Sequence, residues 1–596
     1  MSALAVIYER TNTPLEPGVL VRVMACLKHR GPDGSDVFQA DRVALGHCHF
    51  WTTPEEEGER QPLSVPGLPY RIVMDGRLDN RDELFSRLSI SPAEGKLLSD
   101  AALILHAYDC WGENCFEYFI GEYALAIFDE RRTSLVCARD SLGDRTLFYS
   151  IDGTQVVIAS EACAVAEAIG SVGSLNDIAV AYYFARKAPQ DGQTLYKNVF
   201  ELLPAHAMLV DASGQSTWSY WQPDLSRKIR GRSNEEYAEE FLSLLERSVR
   251  CRLRSNTPVG VLMSGGLDST SVACLAARLI SPTPLTTISY VFDELHDCDE
   301  RQYINAVSSK WNTRSIQIPC DDAWPLKDWN TWPHNPNYPE GTPYRLLRER
   351  AFTRARQEGL RVLLTGGFGD HLYSAGDEWL ADLLVDGRFL DASRELGLYL
   401  RYGGLSWLWS AGYLQHVARR WRDNLPILRR RKPGYTALPW MTDFSDQQVS
   451  SVQSSMERDL VSHASMVGLT TAFSSSGEVF HASRHAVELR HPYRDRRLVE
   501  YVLSLPAHQL YYHNVNKRVL RSAMKGILPE MVRTRLQATS IQALYLRGVR
   551  TEKERIETII HNSGEALNRF IQSDWLARHW DLSIASDLDD SDASMI

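Results

Sequence analysis

Residues Ser264–Ser269, with the sequence SGGLDS, have the side chains and spacing of a phosphate site. They follow the apolar run Val259–Met263 and lead into a helical pattern, so a buried strand is expected to break at two glycines and pass directly into a helix. Such a turn directs backbone N–H groups and the positive end of the helix dipole toward an anion. The glycines let the backbone approach phosphate oxygens closely.

The side chains of this loop add to the phosphate chemistry. Ser264 and Ser269 supply hydroxyl donors, and Asp268 can hold a divalent cation on phosphates that it would otherwise repel. The loop has no lysine after its second glycine, so it is not a Walker loop. The alternative is an ordinary strand–turn–helix corner built from small residues. The complete hexapeptide after a valine-rich strand favours the phosphate site.

Two different patterns of elements surround this loop. Before about residue 210, short β-like runs are separated by turn signals and few helices interrupt them, which predicts an α+β domain of packed sheets. From Glu235 onward, strands alternate with helices, which predicts a parallel sheet with its ligand at the carboxyl ends of the strands. A second glycine-rich turn, Thr365–His371, follows the predicted strand Arg361–Thr365 and therefore lies at the same edge as the phosphate loop.

The predicted elements have definite bounds. In the first half, the strands are Leu4–Tyr8, Val43–His47, Arg71–Met74, Tyr123–Phe128, Leu135–Ala138 and Gln155–Ala159, and the clearest helix is Ser99–Asp109. In the second half, the strands are Val259–Met263, Leu285–Phe292 and Arg361–Thr365, and the helices are Glu236–Arg252, Ser269–Leu279 and Glu300–Ser309.

Composition limits the class of protein. The chain has 596 residues, 23% charged and 44% hydrophobic, which is typical of a soluble protein with two or more domains. Its net charge of −10 argues against general nucleic-acid binding. The ten cysteines lack CxxC or zinc spacing, and the N-terminal residues lack the pattern of a signal peptide, so a cytoplasmic location is expected. The apolar stretch Tyr399–Ala418 contains Arg401 and two glycines, which argues against a membrane span.

The SGGLDS loop resembles the pyrophosphate-binding loop of the ATP-pyrophosphatase superfamily, and its flanks resemble the asparagine synthetase family. The resemblance implies an α+β N-terminal sandwich of antiparallel sheets, like that of N-terminal nucleophile hydrolases, followed by an α/β parallel-sheet ATP-pyrophosphatase domain. The segments that resemble the family's class II glutamine amidotransferase domain are RGPDGS, DGRLDNRDEL, SDAALILHAY, GEYALAIFD and ARDSLGDRTLFY, which begin at residues 30, 75, 99, 121 and 138.

The residues of the implied glutaminase site are altered. The family uses an N-terminal Cys exposed after removal of Met1, whereas this chain continues with Ser2, whose hydroxyl has a far higher pKa than a thiol. Asn-Gly-Glu of the family's glutamine pocket is replaced by Asp75-Gly76-Arg77, which places a carboxylate at the forming oxyanion and a cation at the glutamine ammonium. After the Gly-His pair, the family's Arg is also missing, and only Asp100 matches. We expect a lost glutaminase site.

The resemblance also implies roles in the second half. Asp268 and Asp370 would hold magnesium on ATP, Lys517 would stabilise charge on the phosphates, and Asp495 matches an acidic residue of the family's catalytic region. The alternatives are a helix cap for Asp370 and a solvated position for Lys517. The implied nucleotide-binding residues are Leu262, Ser264, Gly265, Gly266, Asp268, Ser269, Tyr290, Thr365 and Gly366.

One position in the second loop bears on the substrate. Asparagine synthetases have Glu after the first glycine and β-lactam synthetases have Tyr, whereas this chain has Gly367. Gly367, the chain length and the segment Trp379–Arg388 are more similar to lasso-peptide macrolactam synthetases (lasso cyclases), which join a core peptide's N-terminal amine to an Asp or Glu side chain. The basic run Arg429–Lys432 is interpreted as a solvated helix end and loop, with a docking site for an acidic peptide as the alternative.

The resemblance implies an ATP- and magnesium-dependent ligase of antibiotic biosynthesis that adenylates a carboxylate and closes an intramolecular amide in a lasso peptide. The expected partners are a precursor core peptide, a companion leader peptidase and a leader-binding protein, with neither nucleic acid nor membrane. The alternatives are a β-lactam synthetase-like cyclase, an asparagine synthetase-type enzyme using free ammonia, and a nucleotide-binding pseudoenzyme scaffold. The expected divisions are an amidotransferase-like domain at 1–212, a connector at 213–234, a synthetase domain at 235–580 and an acidic tail at 581–596.

Overall fold

A computed structural model describes most of the chain. The described residues are 1–373 apart from 12, 188–190, 225–226 and 340–342, short stretches between 389 and 397, then 438–452 and 473–585 apart from 513–514 and 563. The segment Trp379–Arg388, the run Arg429–Lys432 and the last eleven residues of the predicted tail, 586–596, lie outside them. None of the described helices combines the length and apolar character that a membrane crossing requires.

The first domain is a sandwich of two antiparallel sheets, which confirms the predicted fold class. The six-stranded sheet has the order β2-β3-β1-β8-β7-β9, and the five-stranded sheet has the order β11-β10-β6-β5-β4. The strands are β1 Ala3–Glu9, β2 Ser35–Gln39, β3 Val43–Cys48, β4 Tyr70–Leu78, β5 Gly121–Asp129, β6 Ser134–Arg139, β7 Phe148–Asp152, β8 Gln155–Ala159, β9 Phe200–Glu201, β10 His206–Val210 and β11 Gln215–Ser219.

Apolar side chains fill the space between the two sheets and the space outside each sheet. Val6 and Ile158 of one sheet and Ala126 and Met208 of the other belong to the same fully buried cluster. Because strand side chains alternate between faces, the outer faces must also be covered, and helices pack there. The helices of this domain are Val19–Leu27, Arg81–Leu88, Pro92–Gly95, Asp100–Trp111, Ala162–Ala168 and Asp177–Phe184, with 3₁₀ turns at Lys28–Arg30 and Gly112–Tyr118.

The start of the expected connector belongs to the first domain. Residues Gln215–Ser219 form β11, which pairs with β10 from His206↔Ser219 to Val210↔Gln215. Tyr220 follows and donates a hydrogen bond to the carbonyl of Arg139, which ties the chain to the same sheet. The expected connector therefore begins after this stretch, since Gln215–Tyr220 belongs to the first domain.

The second domain contains the predicted parallel sheet. Its five strands have the order β14-β13-β12-β15-β16, and all four pairings are parallel. The strands are β12 Val259–Leu262, β13 Thr286–Val291, β14 Arg314–Pro319, β15 Val362–Thr365 and β16 Glu488–Arg490, and a separate two-stranded sheet joins β17 Tyr511–Tyr512 to β18 Val515–Asn516.

Helices cover both faces of this sheet, as a parallel sheet requires. Before residue 374 they are Asn234–Arg252, Leu267–Ile280, Arg301–Trp311, Arg345–Gln357 and Gly369–Tyr373. Later α-helices are Asp443–Val452, Phe473–Arg484, Arg496–Ser504, Ala507–Leu510, Arg518–Ala523, Glu530–Arg533, Gln542–Thr551, Lys553–His561, Glu565–Asn568 and Ser573–Ala585. The 3₁₀ turns are His296–Cys298, Trp329–Thr331 and Pro492–Arg494.

Candidate nucleotide and metal site

The predicted phosphate loop lies at the carboxyl end of β12, the central strand of the parallel sheet. The two serine hydroxyls shape the loop, since Ser264 Oγ and Ser269 Oγ lie 2.9 Å apart. The backbone N–H of Ser264 donates to Ser269 Oγ at 3.1 Å, and the N–H of Gly266 donates to Ser264 Oγ at 3.2 Å. The helix Leu267–Ile280 begins directly after the glycines. The loop therefore has the strand–turn–helix geometry that suits an anion.

Two residues that sequence reasoning missed hold this loop from outside. The N–H of Gly265 donates to Glu300 Oε2 at 2.8 Å. Arg535 donates to Glu300 Oε1 at 2.8 Å and to the carbonyl of Gly265 at 3.0 Å, while its guanidinium stacks on Tyr303. An anion that binds the Gly265 N–H must therefore compete with the Glu300 carboxylate.

The second glycine-rich turn lies against the first. Leu262 of β12 pairs with Thr365 of β15, so both strands end at the same level of the sheet. A Cβ atom on Gly366 would lie 2.7 Å from the Cα of Ser269, a distance that real Cβ contacts essentially never show. Glycine at 366 is therefore required for the two loops to touch.

The three predicted ionic residues meet at this edge. Lys517 Nζ lies 2.6 Å from Asp268 Oδ2 and 2.5 Å from Asp370 Oδ1. Lys517 has a φ of 58°, in the left-handed region, and precedes the helix Arg518–Ala523. Burial by itself would lower the pKa of Lys517, but the two carboxylates outweigh burial and raise the pKa above its usual value. The ammonium is therefore firmly cationic.

The carboxylates fit a magnesium ion that nucleotide phosphates help to hold. Asp268 and Asp370 converge on one nitrogen atom, and hard oxygen ligands are those that Mg²⁺ prefers. In the part of the chain that the structure describes, no group of three or more His, Cys, Asp or Glu side chains could hold a metal ion by itself. A site with two protein carboxylates matches the usual arrangement in which phosphates and water complete the magnesium shell.

A buried histidine adjoins the second turn. His491 Nδ1 lies 2.7 Å from Thr365 Oγ1, which also accepts a hydrogen bond from the N–H of Gly367 at 3.0 Å. Burial lowers the pKa of His491 to about 4, so the imidazole is neutral at pH 7. A Cβ atom on Gly367 would approach His491 Nδ1 to 3.2 Å, a tight contact. A side chain at position 367 would therefore compete with His491 for space.

The remaining predicted residues lie around this centre. Leu262 and Tyr290 are half-buried and pack against the same apolar cluster under the sheet edge, and burial raises the pKa of Tyr290. Asp495 is fully buried and bonds both Arg252, at 3.2 Å, and Arg497, at 2.6 Å. It also caps the helix Arg496–Ser504 through the Arg497 N–H. These contacts give Asp495 a positioning part, and its catalytic role stays a prediction.

Comparison with known families covers nearly the whole chain. Residues 1–221 match the model of a glutamine amidotransferase domain, and residues 240–595 match the model described as asparagine synthase. The second match alone spans more than half of the chain. This chain belongs to the asparagine synthase family. It is an ATP-dependent, amide-forming ligase, and the family generally uses magnesium with ATP.

Individual relatives of this asparagine synthase family member are distant. Asparagine synthetase [glutamine-hydrolyzing] 3 of Bacillus subtilis is 25% identical and covers 86% of this chain and 82% of its own length. A putative asparagine synthetase [glutamine-hydrolyzing] 2 of Methanocaldococcus jannaschii is 27% identical over 63% of this chain and 75% of its own length. The amidase chyE of Penicillium rubens is 24% identical over 60% of this chain and 55% of its own length.

In this synthase-family chain, the predicted glutamine pocket is filled by ion pairs. Arg77 makes two hydrogen bonds of 2.9 Å to Glu122, and its Nε lies 3.1 Å from Asp79. Asp75 lies 2.7 Å from Arg30. All of these side chains are buried. The arrangement leaves the cationic Arg77 where the sequence predicts repulsion of a glutamine ammonium.

Two further positions of that pocket are also engaged by protein. Ser2 Oγ accepts a hydrogen bond from the N–H of Phe50 at 3.3 Å. Asp100, which matches the family, is bonded by Arg254 of the second domain at 2.6 Å and by Arg81. The residues that would bind glutamine are therefore used in contacts within and between the domains.

Proposed function

We propose that this ligase adenylates a substrate carboxylate with ATP and closes an intramolecular amide, and that its product is a lasso-peptide macrolactam. One observation carries the proposal: the Asp268–Lys517–Asp370 cluster is complete at the synthetase edge, whereas Arg77 is locked onto Glu122 in the glutamine pocket. An enzyme that keeps its ATP site and loses its source of ammonia needs another amine. An amine already present in the substrate satisfies that need.

The residues of the chain divide the work of adenylation. The backbone N–H groups and serine hydroxyls of Ser264–Ser269 bind the leaving pyrophosphate. Lys517 neutralises the charge that develops on the phosphates and on the acyl intermediate. Asp268 and Asp370 would hold magnesium, which supplies charge neutralisation and orientation to the phosphates of ATP. The substrate amine then attacks the acyl-adenylate, and AMP leaves.

The substrate proposal also includes its context. A precursor core peptide with an Asp or Glu side chain is the proposed substrate, and a leader peptidase and a leader-binding protein are the proposed partners in the cytoplasm. Gly367 supports a substrate other than aspartate, because the side chain that asparagine synthetases carry there is absent. The competing assignment is synthesis of asparagine from free ammonia, and the match to the asparagine synthase model is compatible with asparagine synthesis.

Mass spectrometry of a single-turnover mixture separates these assignments. The protein is incubated with ATP, magnesium and a candidate core peptide that has a free N-terminal amine and an Asp or Glu side chain. Loss of one water from the peptide, with one AMP and one pyrophosphate formed, is the expected result. Conversion of aspartate and ammonium to asparagine, with the peptide unchanged, would overturn the lasso assignment. A protein that forms no AMP with either substrate would contradict the adenylation proposal itself.

A further inference from the structure

Glu488 connects the two domains at the first residue of β16. This strand is at the edge of the parallel sheet and pairs with β15 through Val362↔Glu488. The Glu488 side chain leaves the sheet and reaches the first domain, where Arg77 Nη1 lies 3.4 Å and Arg145 Nη2 lies 3.2 Å from its Oε1. A carboxylate of the synthetase domain thus lies among the arginines of the altered glutamine pocket.

The surroundings of Glu488 hold its charge in place. Arg490 Nε lies 2.6 Å from Glu488 Oε1, and Thr52 Oγ1 donates to Glu488 Oε2 at 3.3 Å. Burial alone would raise the pKa of Glu488, but Arg145, Arg490 and Arg77 outweigh burial and hold the pKa well below its usual range. The residue is only 4% exposed, so these contacts are screened little by solvent.

Glu488 is three residues from His491, which contacts the synthetase site. The intervening Arg490 is also fixed, because it donates to the carbonyls of Arg252 at 2.9 Å and Arg254 at 2.6 Å. His491 then meets Thr365 Oγ1, which holds the N–H of Gly367. One short segment therefore connects the first domain to the second glycine-rich turn.

A small cavity adjoins this connection. Met1 and Arg145 of the first domain line it together with Leu489 and His491 of the second. The altered glutamine pocket and the segment beside the synthetase site therefore line the same cavity.

We propose that Arg77 and Arg145 are positioning residues for the synthetase site and act on it through Glu488. Their ion pairs with Glu488 set the position of β16, and β16 in turn sets His491 against Thr365 and so orders the turn that binds the nucleotide. The altered glutamine pocket thereby has a present use. The inference goes beyond the proposed function, since it holds for any carboxylate that the enzyme activates.

Equilibrium binding of the magnesium complex of a non-hydrolysable ATP analogue tests the inference. Arg145→Met and Glu488→Gln are each expected to weaken binding by about tenfold, a typical coupling between distant sites. The double variant should bind no more weakly than Glu488→Gln alone, because Arg145 acts through Glu488. Equal binding by the wild type and both single variants, or additive losses in the double variant, would overturn the proposal.

A matched control and a milder variant keep the test decisive. Arg132→Met removes an exposed ion pair with Glu113 in the same domain and should leave nucleotide binding unchanged. If Arg145→Met fails to fold, Arg145→Lys replaces it and is judged by the same criterion. No peptide is needed, so failure of the lasso assignment would leave these results intact.

Chemical rescue distinguishes positioning from general loss of structure. Glu488→Ala leaves space beside Arg145 and Arg490 in which a small carboxylate can bind. Added formate is expected to restore most of the nucleotide affinity of Glu488→Ala and to leave Glu488→Gln unchanged, because the glutamine amide still fills the space. Absence of any formate effect on the folded Glu488→Ala protein would contradict a role for the anion itself.

Discussion

Both domains contain a cluster of opposite charges, but the two clusters differ in how their charges are satisfied. In the first domain, Arg77 is 1% exposed and makes a two-bond fork to Glu122. In the second domain, the single ammonium of Lys517 lies between two carboxylates, and the side chain of Asp370 is 76% exposed. A sealed fork holds structure together, whereas a shared ammonium beside an open carboxylate can change partners when a ligand arrives. Burial and pairing thus distinguish the cluster in the altered glutamine pocket from the cluster at the proposed nucleotide site.

The largest expected effect is on stability and concerns the sealed cluster of the first domain, in which Arg77 pairs with Glu122 and Asp79. Arg77→Met would leave Glu122 and Asp79 buried without their main partner, which typically lowers the free energy of unfolding by about 3–5 kcal/mol. Urea denaturation measures this loss. Arg132→Met, at an exposed pair, should change the free energy by about 0–1 kcal/mol. If the two variants had equal free energies of unfolding, the ion pairs of Arg77 would not stabilise the fold.

A change in the cluster of Asp268, Lys517 and Asp370 should reduce enzymatic activity and have little effect on the free energy of unfolding. In the proposed mechanism, Lys517 stabilises charge in the transition state, so Lys517→Met should slow the chemical step by about 10²–10³-fold, the typical loss for one such group. Pyrophosphate release from the adenylation reaction is the measurement. Lys525→Met, at an exposed lysine just past the same helix, is the control and should keep full activity. A normal rate for Lys517→Met would show that Lys517 takes no part in the adenylation reaction.

The contact between the two glycine-rich turns gives a smaller effect. Gly366→Ala places a methyl group against Ser269, so the turns must separate, and overpacking of this kind costs about 1–3 kcal/mol. Nucleotide affinity should fall together with stability, because Ser269 belongs to the phosphate loop. Gly359→Ala, at a glycine with open space around it but a φ of 71°, would test whether backbone strain alone has the same effect. Only the Gly366 variant should lose affinity.

Two buried histidines, His491 and His47, contribute to the change of the free energy of unfolding with pH. Burial lowers the pKa of His491 to about 4, below the ordinary value of 6.5. Between these values the unfolded chain binds a proton that the folded chain excludes, so the free energy of unfolding falls as the pH falls, by about 1.4 kcal/mol per pH unit. His491→Asn should reduce this slope by the contribution of one proton. His47, whose pKa burial lowers to about 3, should supply the slope that remains. An unchanged slope in denaturation experiments would show that His491 is protonated in the folded chain.

The strands and loops that position the site can be predicted from the sequence because local sequence patterns determine them. Each predicted strand of the first domain overlaps an observed one, and Gln155–Ala159 has the predicted bounds. Lys517, Asp268 and Asp370 meet as the family resemblance implies, although 249 residues separate the first two. For Asp268 and Asp370, the meeting follows from the parallel sheet, whose strand ends share one edge. Lys517 comes from a separate segment, directly before the helix Arg518–Ala523, so the sheet alone does not place it.

Partners that join distant segments could not be predicted in the same way. Arg77 can be recognised as a charge that repels glutamine, but its fork to Glu122 and its contact with Glu488 depend on how the domains pack. Glu300 and Arg535 are likewise ordinary charged residues in the sequence, 235 positions apart. No periodicity or motif connects such pairs, so only the folded chain reveals them.

The bond between Glu300 and the Gly265 N–H has a consequence for turnover. In the proposed mechanism, pyrophosphate would displace a carboxylate that Arg535 keeps in place, so its binding would be an exchange between two anions rather than a simple association. Return of the Glu300 carboxylate to the Gly265 N–H would then favour release of the product. We therefore expect weak product inhibition by pyrophosphate. Glu300→Gln should strengthen that inhibition severalfold in initial-rate measurements, and an unchanged inhibition constant would count against the exchange.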